Sequence, residues 1–99
     1  MEYRFERDPA KEKANFRKHR VTFRRAASVF RDPNQLSIYD EEHSGGEERW
    51  ITIGLDDTGV ARVVVHTFEK ITPNLCVIRI ISARKATRAE LSQYREESR

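Results

Sequence analysis

The chain has 99 residues, of which 35% are charged, and a net charge of +3; this length suffices for one modest hydrophobic core, so we expect a single domain over residues 1–99. No stretch approaches the roughly 18 apolar residues of a membrane helix, and the start MEYRFERD lacks the apolar segment of a signal peptide, which argues against a membrane protein and predicts a cytoplasmic one. The only cysteine, Cys76, excludes a disulfide framework and a cysteine metal cage, and its apolar neighbours predict a buried strand thiol.

Two helix signals follow a short strand candidate, YRF. Asp8 and Pro9 supply an N-cap oxygen and a residue preset for the first helical turn, so we expect a helix from about Pro9 to His19. Thr22 can cap a second helix in VTFRRAASVF, whose apolar residues recur at helical spacing (Phe23, Ala26, Ala27, Phe30). The opposite face of this helix is basic, and RDPN ends it.

From Gln35 onward the apolar period changes to two residues, which predicts strands. LSIY is followed by the polar loop DEEHSGGE and by the strand ITIGL. DDTG predicts a hairpin turn in which Gly59 takes a positive φ. VARVVVHTF is the next strand, EKITPN a looser turn and LCVIRII the last strand, and the short connections predict an antiparallel meander.

The C-terminal segment is expected to be helical. Thr87 and Glu90 match the S/T-x-x-E capping box, and Leu91 and Tyr94 are spaced to contact a core. The order of strand, two helices, about four strands and a helix predicts an α+β fold. One face of the sheet should lie under helices, and the other should be at least partly open.

The charges are grouped along the chain. Residues 1–33 carry a net charge of +5, residues 34–59 of −6 and residues 60–99 of +4. Two basic segments would attract phosphate, and the acidic segment could balance or gate them. Composition leaves equally open that these charges simply cover a small domain with a large surface.

Three cations in IRIISARKAT are candidates for binding an anion. Arg79 alternates with apolar strand residues, where a cation must be paired or face a cleft; the alternative is a structural ion pair with an acid of residues 34–59. Arg84 and Lys85 precede the predicted helix, whose N-terminus also favours an anion. Trp50 and Tyr39 can stack on bases, although Trp50 is more often a core or partner-interface residue.

The three histidines show no metal-ligand spacing, so we expect no metal and no other cofactor. His66 at a strand end and His43 in the polar loop, near Glu47 and Glu48, can exchange protons near neutral pH. For each of them a surface or hydrogen-bonded histidine is the alternative.

The whole chain resembles the BrnT toxin family of bacterial type II toxin–antitoxin systems, whose members are similar to RelE-type ribonucleases. The matching pieces are FERDPAKEKANFRKHRVTF, ASVFRDP, HSGGEERWITIG and IRIISARKATRAE. The resemblance implies a RelE-like compact domain with two N-terminal helices, an antiparallel sheet of about four strands plus a short N-terminal strand, and a C-terminal helix. It also implies a toxin that cleaves RNA and blocks translation.

The resemblance implies a partner as well, a BrnA-type antitoxin with a ribbon-helix-helix DNA-binding part. Operator DNA would then be contacted only indirectly, through the complex of toxin and antitoxin. Two positions depart from the family's pattern: Arg20 stands where glycine is usual, and Glu69 and Lys70 lie where an arginine is expected in the last hairpin.

A ribonuclease of this kind can work without a metal if the 2′-hydroxyl of the RNA attacks the adjacent phosphate. This reaction needs a base, an acid and cations that hold the phosphorane oxygens, and arginine stays protonated, so it cannot be the base. We therefore assign Arg79 and Arg84 to the phosphate, Lys85 to the phosphate or leaving group, and proton transfer to His66 or His43, with Glu48 as an alternative base.

Two other functions stay open at this point. The basic segments could hold nucleic acid without cleaving it, as a binding module. Alternatively, the chain could be an inactive toxin fold that contacts only its antitoxin, as the missing hairpin arginine permits.

Overall fold

A computed structural model describes residues 1–43 and 45–97; Ser44 of the predicted polar loop and the two C-terminal residues lie outside this description. The described part contains three α-helices, a 3₁₀ helix and six strands. They are β1 (Glu2–Arg7), α1 (Pro9–His19), α2 (Phe23–Ala27), the 3₁₀ helix (Ser28–Arg31), β2 (Leu36–Tyr39), β3 (Arg49–Leu55), β4 (Ala61–Thr67), β5 (Glu69–Thr72), β6 (Leu75–Lys85) and α3 (Arg88–Glu97). This is the predicted α+β class, and none of the described helices is long and apolar enough to cross a membrane.

Helix α1 begins and ends where the sequence predicts. The Asp8 carboxylate accepts hydrogen bonds from the backbone N–H groups of Ala10 at 2.9 Å and Lys11 at 3.4 Å. At the other end Arg20 takes the left-handed conformation (φ 59°, ψ 29°), and its N–H donates to the carbonyl of Phe16. Arg20 therefore adopts a backbone conformation that glycine adopts without strain.

The second predicted helix is shorter than expected. Thr22 caps it, accepting from the N–H of Arg25 at 3.1 Å, but α2 stops at Ala27 and a 3₁₀ helix follows. The Ser28 hydroxyl donates to the Arg25 carbonyl, a local bond that competes with a regular helix. Because a 3₁₀ helix has three residues per turn, the apolar stripe shifts, and Val29 is fully buried while Phe30 is only partly buried.

The sheet has the order β1–β6–β4–β3–β2 in the described residues, and β5 pairs with β6 off this path. The predicted antiparallel pairing of β2, β3, β4 and β6 is confirmed, and β1 runs parallel to β6. The predicted strand count and the turn over EKITPN were wrong, because β5 pairs with the first residues of β6 and only residues 73–74 turn. Glu69 and Lys70 are weak strand formers, yet the length of β6 gives them a partner.

The core lies between one face of the sheet and the segment from the end of α1 to the 3₁₀ helix. Its members are Val21, Phe23, Ala26 and Val29 from that segment, and Val64, Ile78, Ile80 and Ala83 from β4 and β6. Cys76 is fully buried, as predicted. Buried Asn15 ties α1 to β6, since its amide donates to the Ala83 carbonyl at 2.9 Å and its oxygen accepts from the Ala83 N–H at 3.1 Å. This pair satisfies β6 beyond the point at which β1 ends.

Helix α3 starts with the predicted capping box. The Thr87 hydroxyl accepts from the Glu90 N–H at 3.2 Å, and the Glu90 carboxylate accepts from the Thr87 N–H at 2.8 Å. Tyr94 is buried and its hydroxyl donates to Asp32 at 2.5 Å. This bond attaches the C-terminal helix to the segment that follows the 3₁₀ helix.

Candidate functional site

Arg79 lies in the middle of β6 on the face of the sheet opposite the core. Its backbone N–H donates to the hydroxyl of Thr67 at 3.3 Å, and Thr67 is the register partner of Arg49. Because strand residues alternate between faces, these three side chains lie on the same side of the sheet. Arg79 and Arg49 therefore occupy the strands on either side of Thr67, on the more open face of the sheet.

The guanidinium of Arg79 forms an ion pair with Glu47 in the loop of residues 40–48, which joins β2 to β3 and is called the acidic loop below. The two side chains are 39% and 47% exposed, so water screens the pair and it contributes little to stability. This is the structural alternative considered for Arg79, an ion pair with the acidic segment. An RNA phosphate could replace the carboxylate, because arginine binds both groups with the same fork of N–H donors.

The loop that carries Glu47 also carries His43 and Glu48. His43 is exposed, and its Nδ1 lies 3.0 and 3.2 Å from the two oxygens of Asp40. A carboxylate only accepts hydrogen bonds, so Nδ1 holds a proton and Nε2 is left to exchange protons with a substrate. Of this loop, Glu47 contacts Arg79, whereas His43 pairs with Asp40 on the other side of Ser44; the roles of His43 and Glu48 stay predictions.

Arg84 lies at the far end of β6 and is engaged by α3. Its guanidinium forms a two-pronged ion pair with Glu90 at 2.8 and 2.9 Å, and this bond holds the pKa of Glu90 at about 2. Since Glu90 also accepts from the Thr87 N–H, it occupies both groups that were expected to attract a phosphate. Neighbouring Lys85 is exposed and, by alternation, points to the other face of the sheet.

His66 lies on the core face, so the structure does not bring it together with Arg79. It is buried, with the ring edge of Phe30 against it at a centroid distance of 4.8 Å. Its Nδ1 lies 3.0 Å from the carbonyl of Thr67 and its Nε2 lies 2.7 Å from the hydroxyl of Thr52. Burial lowers the pKa of His66, an effect that the carbonyl contact only partly opposes, and the ring is therefore neutral at neutral pH.

The contacts of His66 determine which groups donate and which accept in a series of hydrogen bonds from Ser37 through Thr52 to His66. The Thr67 carbonyl only accepts, so Nδ1 carries the proton of the neutral ring and Nε2 must accept from the Thr52 hydroxyl. Thr52 in turn accepts from the Ser37 hydroxyl at 2.7 Å. Both ring nitrogens of His66 are thus occupied by the protein itself, as in the hydrogen-bonded alternative considered for this residue.

A pocket of about 240 Å³ opens beside His66. Its walls include the aromatic rings of Tyr3, Phe30, Trp50 and Phe68. The indole N–H of Trp50 is buried and has no hydrogen-bond partner within residues 1–43 and 45–97, which is uncommon for a buried donor.

Glu47, Arg49 and Thr67 were not predicted as site residues. Strand alternation could have found Arg49, which lies two residues before Ile51 in β3 and therefore on the same face, whereas Glu47 precedes β3 and has no such signal. In the described part of the chain no group of three or more His, Cys, Asp and Glu side chains could hold a metal ion.

Comparison with models of known protein families gives a match. A family model described as the ribonuclease toxin, BrnT, of a type II toxin–antitoxin system matches residues 8–90. The comparison with individually curated proteins found no match. The matched range includes the acidic loop, β6 and the capping box of α3.

Proposed function

This chain belongs to the BrnT family of ribonuclease toxins of type II toxin–antitoxin systems, and on that premise we propose that it is a metal-independent endoribonuclease that blocks translation. The proposal takes the chain as a single RelE-like domain that acts in the cytoplasm. Its proposed reaction centre is the ion pair of Arg79 and Glu47, with His43 of the same loop as the proton donor. The observation that supports this most is that pair, a half-exposed arginine on the more open face of the sheet, held by a carboxylate that a phosphate can replace.

Phosphate binding starts the proposed reaction. The scissile phosphate takes the place of the Glu47 carboxylate on Arg79 and lies above Thr67, with Arg49 on the other side. Two cations then stabilise the charge that develops on the phosphorane oxygens. Glu47, released from Arg79, stays close to the substrate and can act as a base.

Proton transfer completes the proposed reaction. Glu47 removes the proton of the 2′-hydroxyl, the 2′-oxygen forms a bond to phosphorus, and the bond to the 5′-oxygen breaks. The departing 5′-oxygen takes a proton from Nε2 of protonated His43, which Asp40 orients through Nδ1. The products are a 2′,3′-cyclic phosphate and a 5′-hydroxyl, and the need for a 2′-hydroxyl restricts cleavage to RNA.

The other predicted residues take different parts in this proposal. His66 serves the fold, because both of its nitrogens are engaged. Glu48 remains an alternative base on the same loop. Lys85, and Arg84 when Glu90 releases it, would hold phosphates that flank the cleaved one.

We further propose a BrnA-type ribbon-helix-helix antitoxin as the partner that neutralises the chain. Operator DNA would be contacted through the antitoxin in their complex. An acidic segment laid over Arg79 and Arg49 would compete with RNA for the same cations.

A second candidate is a non-catalytic module that binds nucleic acid or antitoxin on the same fold. It is favoured by the engagement of both predicted phosphate-binding arginines, Arg79 by Glu47 and Arg84 by Glu90. It is favoured also by β5, where Glu69 and Lys70 replace the arginine expected in this hairpin.

Cleavage of RNA by the purified chain in EDTA separates the two candidates. We expect products with 2′,3′-cyclic phosphate ends, a loss of roughly 100-fold or more in rate for Arg79→Ala, and a loss of roughly 100- to 10,000-fold for Glu47→Gln. Arg95→Ala, on the exposed surface of α3, is the matched control and should cleave like the parent. The proposal fails if the parent does not cleave RNA, or if folded Arg79→Ala and Glu47→Gln cleave as fast as it does.

A further inference from the structure

A second surface of the chain has the composition of a nucleic-acid groove. Tyr3 and Phe5 lie on the same face of β1, the outermost strand of the sheet on that side, opposite Cys76 and Ile78 of β6. They are 45% and 40% exposed, although they lie on the face that the core covers elsewhere. The ring of Phe30 lies 5.5 Å from that of Phe5, so the three rings line a groove between β1 and the 3₁₀ helix.

The groove is continuous over three cavities. One of about 370 Å³ is lined by Tyr3, Phe5 and Phe30 together with Arg24 and Arg31. A second of about 370 Å³ continues past Phe5 and Arg24. In the other direction, Tyr3 and Phe30 also form walls of the 240 Å³ pocket beside His66 and Trp50. The last pocket is smaller than the roughly 300–1,000 Å³ of sites for drug-sized ligands, which suits a single ring system.

The cations on this groove are available to a ligand. Among the residues that the structure describes, neither Arg24 nor Arg31 forms a salt bridge. Arg7, at the far end, pairs with Glu12, and the acid on the lining is Glu6. The groove therefore combines aromatic rings with unpaired arginines, as single-strand nucleic-acid sites do.

We propose that this groove, defined by Tyr3, Phe5, Phe30, Arg24 and Arg31, binds the bases and phosphates of single-stranded RNA next to the cleaved nucleotide. Bases stack on the aromatic rings, and the arginines contact the phosphates. Trp50 lines the pocket at one end of the groove, and its buried indole N–H has no acceptor among the described residues; the edge of a bound base can supply one.

The inference rests on the proposed function for the position of the cleaved phosphate. Glu6 of β1 is the register partner of Arg79, so one strand spacing of roughly 4.8 Å separates Arg79 from β1. RNA held at Arg79 can pass over this outer strand and place the adjoining bases in the groove on the other face.

The test measures binding of a short single-stranded 2′-O-methyl oligonucleotide to the full chain by fluorescence anisotropy, because this probe lacks the attacking hydroxyl. The double variant Tyr3→Leu/Phe5→Leu keeps apolar side chains but removes the stacking surfaces, and should weaken binding by roughly 5- to 100-fold. Phe16→Leu is the matched control, since Phe16 is 41% exposed on α1 and lies outside the groove; its affinity should equal that of the parent.

A second measurement does not depend on any variant being folded. Trp50 is the only tryptophan of the chain, so a base seated beside it should change its emission in the parent. No change in emission at saturating oligonucleotide, together with unchanged affinity of the double variant, overturns the groove. The proposal is also wrong if the double variant binds RNA normally but no longer binds its antitoxin; the groove would then be a protein interface.

These outcomes stay separate from those of the cleavage experiment. Loss of binding in the double variant with no cleavage by the parent would support the groove and refute the reaction. Cleavage to cyclic phosphate ends with normal binding in the double variant would support the reaction and refute the groove.

Discussion

Replacing Thr52 by valine removes the centre of the polar chain that ends on His66. Thr52 is fully buried and its hydroxyl makes two hydrogen bonds of 2.7 Å, one to Nε2 of His66 and one with Ser37. Valine has nearly the same shape, so the change removes the hydroxyl and leaves no cavity. His66 then keeps its bond to the Thr67 carbonyl, but its Nε2 is buried without a donor.

The loss of stability follows from these contacts. Two net hydrogen bonds are worth about 1 kcal/mol each, and an unsatisfied buried acceptor costs about 1–3 kcal/mol. Allowing for overlap between these effects, the free energy of unfolding should fall by about 2–4 kcal/mol. For a domain of this size that corresponds to a decrease of roughly 10–25 °C in Tm.

Urea and thermal unfolding, followed by circular dichroism, measure this loss. Ser37→Ala is the graded control, since it removes one bond at an exposed hydroxyl and should cost less than about 1 kcal/mol. If the free energy of unfolding of Thr52→Val lies within about 0.5 kcal/mol of the parent value, the derived donor and acceptor roles in the hydrogen bonds from Ser37 through Thr52 to His66 are wrong. A folded Thr52→Val that also cleaves RNA normally would agree with a structural role for His66.

Four further outcomes follow from other features of the structure. Burial lowers the pKa of His66, so the unfolded chain binds a proton at this imidazole more readily than the folded chain does. The free energy of unfolding should therefore fall as pH drops below about 6.5. Urea unfolding measured over a range of pH should show this decrease in the parent and not in His66→Gln. The pKa of Glu90 is lowered from 4.5 to about 2, so its carboxylate stabilises the fold fully above pH 4.5 and loses this contribution as pH falls towards 2. Glu90→Gln should abolish the change in stability between pH 4.5 and 2 and leave the change near pH 6.5 in place. Arg20→Gly should raise stability by about 0.5–1 kcal/mol by relieving the left-handed backbone at φ 59°, whereas an unchanged or lower Tm would contradict that strain. Asn15→Ala should lower stability by about 2–4 kcal/mol, because it leaves both backbone groups of Ala83 without partners; a Tm equal to that of the parent would show that water replaces the amide.

Local signals correctly predicted the starts of the three α-helices, the end of α1 and the hairpin turn. The caps at Asp8, Thr22 and Thr87 and the positive φ of Gly59 all follow from short-range hydrogen bonding and backbone sterics, which the nearest few residues determine. The resemblance to the BrnT family, which rests on motifs in the sequence, was confirmed by the family model that matches residues 8–90. Strand β5 was missed because its pairing depends on β6 and has no local signal.

The sequence predicted only part of the candidate site. Alternation correctly placed Arg79 opposite the core-facing residues of β6, but it could not show that Glu47 would pair with it across 32 positions of sequence. Alternation places His66 on the same face of β4 as Val64, but only the register with β6, in which His66 pairs with the core residue Ile80, shows that this is the core face, away from Arg79.

The sequence by itself therefore determined the fold class, the starts of the helices, the buried cysteine and the membership of the toxin family, since all of these depend on local patterns and spacing. Only the tertiary structure decided which charges meet, namely Arg79 with Glu47 and Arg84 with Glu90, and which histidine is buried. The physical reason is that an ion pair or a buried hydrogen bond depends on distances between strands and loops that are far apart in the chain, and packing sets those distances.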